Sequence, residues 1–435
     1  PFGTTTVVAD PHEIANVKGM DGIRYMLEAS KNLPLDVRIM LPSCVPALPV
    51  EDAGAVLRAE DIAPLLSETR VGGLAEMMNV PGLMAGDDDV LEKLAVTRAA
   101  GKVIDGHSPL VSEETLEACA ALGIGTDHEC TTVEEMEARI ACGMYVLLRE
   151  GSASRDLLHL LPGLTPANQR RCLFCTDDRH SSDIFERGHV VNNVRMAVRF
   201  GIDPVSAVRM ATLNAAECYG LRDRGGIAPG RRADLVLVED LKDFRVISCW
   251  AGGELVAENG RMLRSLPVSD AGDLCSSVVL APLPERPFSV RVPSGRARVI
   301  GLRPHSLITD CLQRSVKTGP DGEVELADNP GLLKIAVLER HHATGKIGVG
   351  LLDGRYGLRN GAIATTIAHD SHNIVVAGDN EADMLVAVRE VEKRQGGIVM
   401  VSDSRVIAEL PLPVGGLMSE RPAEEVSDRL NELLA

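Results

Sequence analysis

The chain has 435 residues, more than one small core can organise, so two or three domains are expected. A net charge of −17 and an aromatic content of only 3% disfavour a basic, base-stacking groove for nucleic acid. No stretch approaches about 18 uninterrupted apolar residues, which disfavours a membrane span. The ten cysteines are scattered without framework spacing and read as reduced thiols of a cytoplasmic protein.

Short apolar runs alternate with amphipathic stretches through the first 180 residues. The runs are GTTTVVAD (3–10), DVRIMLPSC (36–44), VGGLAEMMN (71–79), GKVIDGHS (101–108), GIGTDHEC (123–130), GMYVLLREGS (143–152) and RCLFCTDD (171–178). Between them, segments such as SEETLEACAALG (112–123) and TVEEMEARIACG (132–143) place apolar residues three and four apart, as a helix covering a sheet requires. Ser112 and Thr132 stand where N-caps belong, and Gly123 and Gly143 where helices stop. The alternation predicts a parallel sheet with right-handed crossovers, on the scale of a (β/α)8 TIM-like barrel of about 250 residues. Seven runs are present where a barrel has eight, so the first strand is expected to precede residue 1. An open seven-stranded sheet is the competing reading. Cys172 and Cys175 lie three apart on one strand and face opposite sides, so this CxxC is not a metal site.

The character changes after residue 224. Residues 225–262 carry turn glycines and short alternating strands and read as a small β-sheet module. Residues 263–285 are mixed and proline-bearing, a candidate linker. Residues 286–435 mix strands (VRVIGL, LLKIAVLER, NIVVAG, GIVMVSDS) with a helix (EADMLVAVREVEKRQ) and read as a separate α+β domain, leaving residues 1–224 for the barrel.

Barrel chemistry sits at the C-terminal ends of the strands. The runs end in Asp10-Pro11-His12-Glu13, Glu76, His107, His128-Glu129, Arg149-Glu150 and Asp177-Asp178. Glu76, His107, His128 and Asp177 are carboxylate and imidazole donors from four strands, a set suited to zinc, manganese or ferrous iron. Which of Asp177 and Asp178 points inward depends on strand parity, which the sequence leaves open. Asp178 or Asp183 is the better candidate to cap the following helix. His12 and Glu13 follow a strand and are candidate acid–base groups, with helix capping as the bland alternative. Arg149, Glu150 and Ser152 are weaker candidates for binding substrate, with buried salt bridging as their alternative.

In this order the residues resemble the amidohydrolase superfamily of metal-dependent barrel hydrolases. VVADPHEIANV, LAEMMN, DGHSP, REGSA, CTDDR and the later AHDSHNI resemble its bacterial adenine-deaminating members, and GGIAPGRRADLVLV resembles the β-element that follows the barrel. The resemblance covers most of the chain, third domain included. It implies that Glu76 bridges two divalent ions, that His107 and His128 ligate one of them, and that Asp177 is both ligand and proton shuttle. It favours Mn2+ or Fe2+, with Zn2+ as the alternative. The implied reaction is hydrolytic deamination of adenine to hypoxanthine and ammonia by a metal-bridged hydroxide, with Asp177, Glu13 or His12 moving protons. A homodimer or larger homo-oligomer is expected, with no nucleic-acid or membrane partner.

The pattern departs from the superfamily at one point. The His-x-His that ends its first strand, and ligates the other metal, is absent from this sequence. The chain therefore reads as a fragment expected to be inactive alone, and an inactive or binding protein stands as one alternative. Hydrolysis of a cyclic amide of the dihydropyrimidine or hydantoin type is another; many such relatives carry a carboxylated lysine where this chain has Glu76. In the third domain, His369 and His372 of AHDSHNI are further candidates for the substrate site.

Overall fold

A computed structural model describes residues 1–303 and 309–434. It divides the chain into two compact units. The first comprises Pro1–His12, Ile23–Leu48 and Leu57–Asp270; the second comprises Glu13–Gly22, Pro49–Val56 and Ala271–Ala435.

In the first unit all seven apolar runs become strands: β1 (Thr6–Ala9), β2 (Asp36–Leu41), β3 (Val71–Met77), β4 (Val103–Gly106), β5 (Thr126–Asp127), β6 (Tyr145–Arg149) and β7 (Cys172–Cys175). β1 to β4 pair in parallel in chain order, as do β5 to β7. Gly125 N donates to Ile104 O at 3.0 Å, which carries the array from β4 to β5.

The array is curled. In a flat sheet, strands 4.8 Å apart would put the ends of β1 and β5 about 19 Å apart. Here His12, just past β1, and His128, just past β5, both reach the Glu76 carboxylate, at 3.4 and 3.0 Å. At the outer edges, Thr4 Oγ1 lies 3.1 Å from His189 Nδ1 and Thr176 Oγ1 lies 3.3 Å from His189 Nε2, so one imidazole links the start of β1 to the end of β7. A flat sheet of seven strands would hold these edges about 29 Å apart, so the flat open sheet is excluded.

The covering helices form where the periodicity and caps place them. Ser112 Oγ accepts from Thr115 N at 3.2 Å at the start of Glu113–Ala121. Thr132 and Glu135 form a reciprocal capping box at the start of Val133–Ala141. Gly123 (φ 96°) and Gly143 (φ 81°) stop these helices in a conformation that a Cβ would penalise. Helices Val190–Phe200 and Pro204–Ala211 press Val194, Ala197, Ala207 and Met210 against Val146, Leu148 and Phe174 of the strands, the core of this side of the array.

Strands β8 (Leu235–Val238), β9 (Val246–Ala251), β10 (Glu254–Glu258) and β11 (Arg261–Met262) form the antiparallel module expected at 225–262. It is tied to the array through Asp36 at the start of β2, whose Oδ2 accepts from Arg224 at 2.6 Å and from Arg232 at 3.1 Å.

The second unit is an eight-stranded sheet. Its strands are β12 (Arg296–Leu302), β13 (Thr309–Ser315), β14 (Leu332–Leu338), β15 (Ile347–Asp353), β16 (Ala362–Thr365), β17 (Ile374–Gly378), β18 (Gly397–Ser402) and β19 (Arg405–Pro411). The spatial order is β13-β12-β15-β14-β17-β16-β18-β19, antiparallel except for β12 with β15. Helix Glu381–Lys393 buries Met384, Ala387, Val388 and Val391 against Ala336, Ala364, Val376 and Val399.

One boundary differs from the sequence expectation. Residues 271–285 are not a free linker: Val278 is buried in the core of the second unit, and Leu280 and Leu283 pack on it. The helix His12–Ala29 breaks at Gly19 (φ 56°, ψ −137°), where glycine permits a backbone that other residues resist. Among the described residues no helix is long and apolar enough to cross a membrane.

Candidate metal and active site

Glu76, near the end of β3, is the centre of the strand-end cluster. One of its oxygens, Oε2, lies 3.0 Å from His107 Nδ1 and 3.0 Å from His128 Nε2; the other, Oε1, lies 3.4 Å from His12 Nδ1. His12 Nδ1 is also 3.1 Å from Asp10 Oδ2. Three histidines from the ends of β1, β4 and β5 thus surround one carboxylate of β3.

Burial alone would raise the Glu76 carboxyl, but His128, His107 and His12 overcome it and hold the group well below the ordinary range. The converse holds for His128: burial disfavours its charge, yet Glu76 and Glu129 raise its pKa well above that of free imidazole. Asp10, partly buried, is raised by that burial despite His12 beside it.

Donor atoms of Glu76, His107 and His128 all lie within 4.8 Å of one another, as do those of Asp10, His12 and Glu76 and those of His128, Glu129 and Asp177. Imidazole nitrogens and carboxylate oxygens converging at this spacing fit a borderline divalent ion. Among the described residues no cysteine joins these donor groups, and burial pushes Cys175 up to about 12 and Cys130 higher still.

The ends of β5, β6 and β7 form an adjoining charged network. Arg149, the last residue of β6, has a buried guanidinium. Its Nη1 donates to Glu129 Oε1 at 2.6 Å and to Asp177 Oδ2 at 2.9 Å; its Nη2 donates to Glu129 Oε2 and to Asp156 Oδ2, both at 3.2 Å. Glu129 Oε1 also lies 3.2 Å from His128 Nε2 and 3.5 Å from His107 Nδ1. Burial would raise Glu129, but His128 and Arg149 bring it down to about 2.

Asp177, rather than Asp178, turns toward this cluster. Its backbone is left-handed (φ 51°), two residues beyond Cys175, the last residue of β7. The exposed Asp178 instead accepts from Ser152 N through its carbonyl, at 2.9 Å. The helix Ser181–Arg187 has His180 as N-cap, without a side-chain cap, so neither Asp178 nor Asp183 fills the capping role expected from the sequence. Asp183 pairs with Ser152 Oγ at 2.5 Å, and Ser152 Oγ accepts from His180 N at 2.9 Å. Ser152 is therefore engaged in joining the loops after β6 and β7. Glu150 is buried and its carboxyl is raised by that burial; its carbonyl accepts from Arg179 Nη1 at 3.1 Å.

The remaining candidates fall in the second unit. Glu13 belongs to its Glu13–Gly22 segment. His372 is fully buried, and its Nδ1 accepts from Ala368 N at 3.1 Å; the ring of His369, half exposed, lies 5.2 Å away. Ser371 Oγ binds Glu51, and Asn373 Nδ2 donates to Asp52 O at 2.9 Å, which fixes the AHDSHNI loop on the Pro49–Val56 segment.

Glu129 and Asp10 are site residues that the strand-end pattern displayed without singling out. Adjacent residues on a strand face opposite ways, which set Glu129 apart from His128. But β5 ends at Asp127, so alternation no longer governs the two residues beyond it. Arg139, on the covering helix Val133–Ala141, pairs with Asp127 beside His128 at 2.9 Å and carried no such signal.

Residues 1–256 match the Amidohydrolase family, and residues 306–435 match the Adenine deaminase C-terminal domain. An adenine deaminase of Nitratidesulfovibrio vulgaris (strain DP4) is 59% identical over 433 residues, covering 100% of this chain and 75% of that protein. Adenine deaminase 2 of Desulfotalea psychrophila is 46% identical with the same coverage. Among solved structures, a β-aspartyl dipeptidase from Fervidobacterium islandicum AW-1 aligns at 17% identity and a TM-score of 0.45, covering 61% of this chain and 77% of that one.

Proposed function

The chain belongs to the amidohydrolase family, and from that premise we propose that it hydrolyses adenine to hypoxanthine and ammonia at the strand-end cluster around Glu76. The observation that carries this reading is the convergence of His12, His107 and His128 on Glu76, in a chain that aligns along its whole length with adenine deaminases.

The family is metal-dependent, and Glu76, His107, His128 and Asp177 are the residues that would hold the ions, with manganese or iron favoured and zinc the alternative. When bound, divalent cations make water a nucleophile at neutral pH by lowering its pKa toward about 7. The exocyclic amine of adenine is a poor leaving group because it is conjugated with the ring. The protein must therefore supply protons where negative charge would otherwise build.

Asp177 is the proton acceptor in this scheme. As the water oxygen bonds to ring carbon 6, Asp177 takes the water's proton and passes it to the adjacent ring nitrogen. The carbon becomes tetrahedral, the remaining hydroxyl proton is moved to the amine, and the carbon–nitrogen bond breaks as the oxygen becomes a carbonyl, leaving hypoxanthine and ammonia. His12, buried between Asp10 and Glu76, is the second candidate for moving protons, with Asp10 orienting its Nδ1. The reading includes a cytoplasmic setting in purine metabolism and assembly into a homodimer or larger homo-oligomer.

The test is ammonia release. At its full natural length, chelator-treated protein should be silent with adenine and regain turnover on addition of Mn2+ or Fe2+, while a hydantoin should release no ring-opened product. Turnover that persists without metal, or preference for the hydantoin, would overturn the reading.

A further inference from the structure

The geometry points to Arg149 as a positioning residue that aims Asp177, with Glu129 as its fixed anchor, and not as a group that reads the purine. This rests on the reading of Asp177 as the proton-transfer residue. Asp177 sits in a left-handed turn beyond β7, with its side chain 35% exposed, so packing does little to fix its carboxylate. Arg149 is the opposite: its side chain is 4% exposed and grows from the end of the central strand of the β5–β6–β7 trio.

Three carboxylates hold the guanidinium, from the loop after β5, the turn after β7 and the β6 loop itself. The pair with Glu129 is bidentate, a geometry that sets the plane of the guanidinium as well as its place. Glu129 is held in turn, since its N–H donates to Asp127 Oδ1 at 2.8 Å. The chain of restraint runs from Asp127 through Glu129 and Arg149 to Asp177. With both terminal nitrogens committed to carboxylates, Arg149 keeps its charge for the protein. Lysine cannot reproduce this arrangement, because an ammonium is a point charge without a planar fork.

The experiment compares wild type, R149K, R149M, E129Q and the R149M/E129Q double variant in the metal-loaded protein. The measurements are kcat and KM for adenine, and manganese retained against a chelator. If Arg149 aims Asp177, R149M should lose about 100-fold in kcat with KM changed by less than about threefold. R149K should be impaired by about 10-fold, and both should release manganese faster. The double variant should lose much less than the product of the two single losses, because both act through one chain of restraint. A rise in KM at unchanged kcat would overturn the proposal in favour of purine binding, and so would an R149K variant equal to wild type in both readouts. If R149M does not fold, R149K carries the test, since it keeps the charge and most of the volume. E76Q separates the two ideas: full turnover in E76Q would sink the reading of the site itself, whatever Arg149 does.

Discussion

Asp127 and Arg139 form a buried ion pair behind His107 and His128. Arg139 Nε donates to Asp127 Oδ2 at 2.9 Å, with side-chain exposures of 4% and 0%. The same guanidinium donates to Ser108 O, next to His107, while Asp127 immediately precedes His128. One arginine on a covering helix therefore braces the ends of both β4 and β5.

Breaking this pair from one side should be costly. Arg139→Met leaves the Asp127 carboxylate enclosed without its cation, and the loss of one partner of a buried pair costs about 3–5 kcal/mol. Urea unfolding of the first unit should register that loss. The double change Arg139→Met with Asp127→Asn should recover part of it, because no buried charge is then left uncompensated. A single variant as stable as wild type would show that the pair does not hold these loops.

Glu76→Gln should empty the site without unfolding it. The carboxylate balances three imidazoles within 3.4 Å, and a neutral amide cannot. Bound metal, measured by elemental analysis, should fall well below wild type, and kcat/KM for adenine should fall by at least about 100-fold. Normal metal content in the variant would remove Glu76 from the centre.

His189 predicts an acid-sensitive step in stability. Burial, and then the neighbouring Arg179 charge, push its pKa down to about 4 from the ordinary 6.5. The unfolded chain binds this proton more readily than the folded one. Unfolding therefore takes up a proton between about pH 6.5 and about 4, and stability falls as pH falls through that window. His189→Gln, whose amide can still span Thr4 and Thr176, should show a flatter acid limb than wild type in unfolding experiments against pH. Parallel acid limbs would contradict the assignment.

In the second unit Arg340 is fully buried, and burial lowers its pKa to about 9. It donates to His372 O, to Ser277 O at 2.8 Å and to Gly415 O at 2.9 Å, three separate loops. Arg340→Met leaves those carbonyls unsatisfied, at about 1–3 kcal/mol each. Hydrogen exchange should accelerate around residues 277, 366–373 and 412–416, while the helix Glu381–Lys393 stays protected. Unchanged exchange in these loops would refute the clamp.

All seven parallel strands were legible in the apolar runs, and the caps at Ser112 and Thr132 in the helix signals, because these depend on local periodicity and on short-range hydrogen bonds. The strand-end acids and histidines were legible too, since barrel geometry sends strand ends to one face. Local pattern could not choose between Asp177 and Asp178 or join Glu129 to His128. Those residues lie past the last paired residue of their strands, where alternation stops and backbone dihedrals and long-range ion pairs set direction. Nor could it find Arg139, His189 or Arg340, or show that residues 271–285 belong to the core of the second unit. Their partners are distant in the chain or lie on other elements, and only the folded backbone brings such groups within hydrogen-bonding or packing distance.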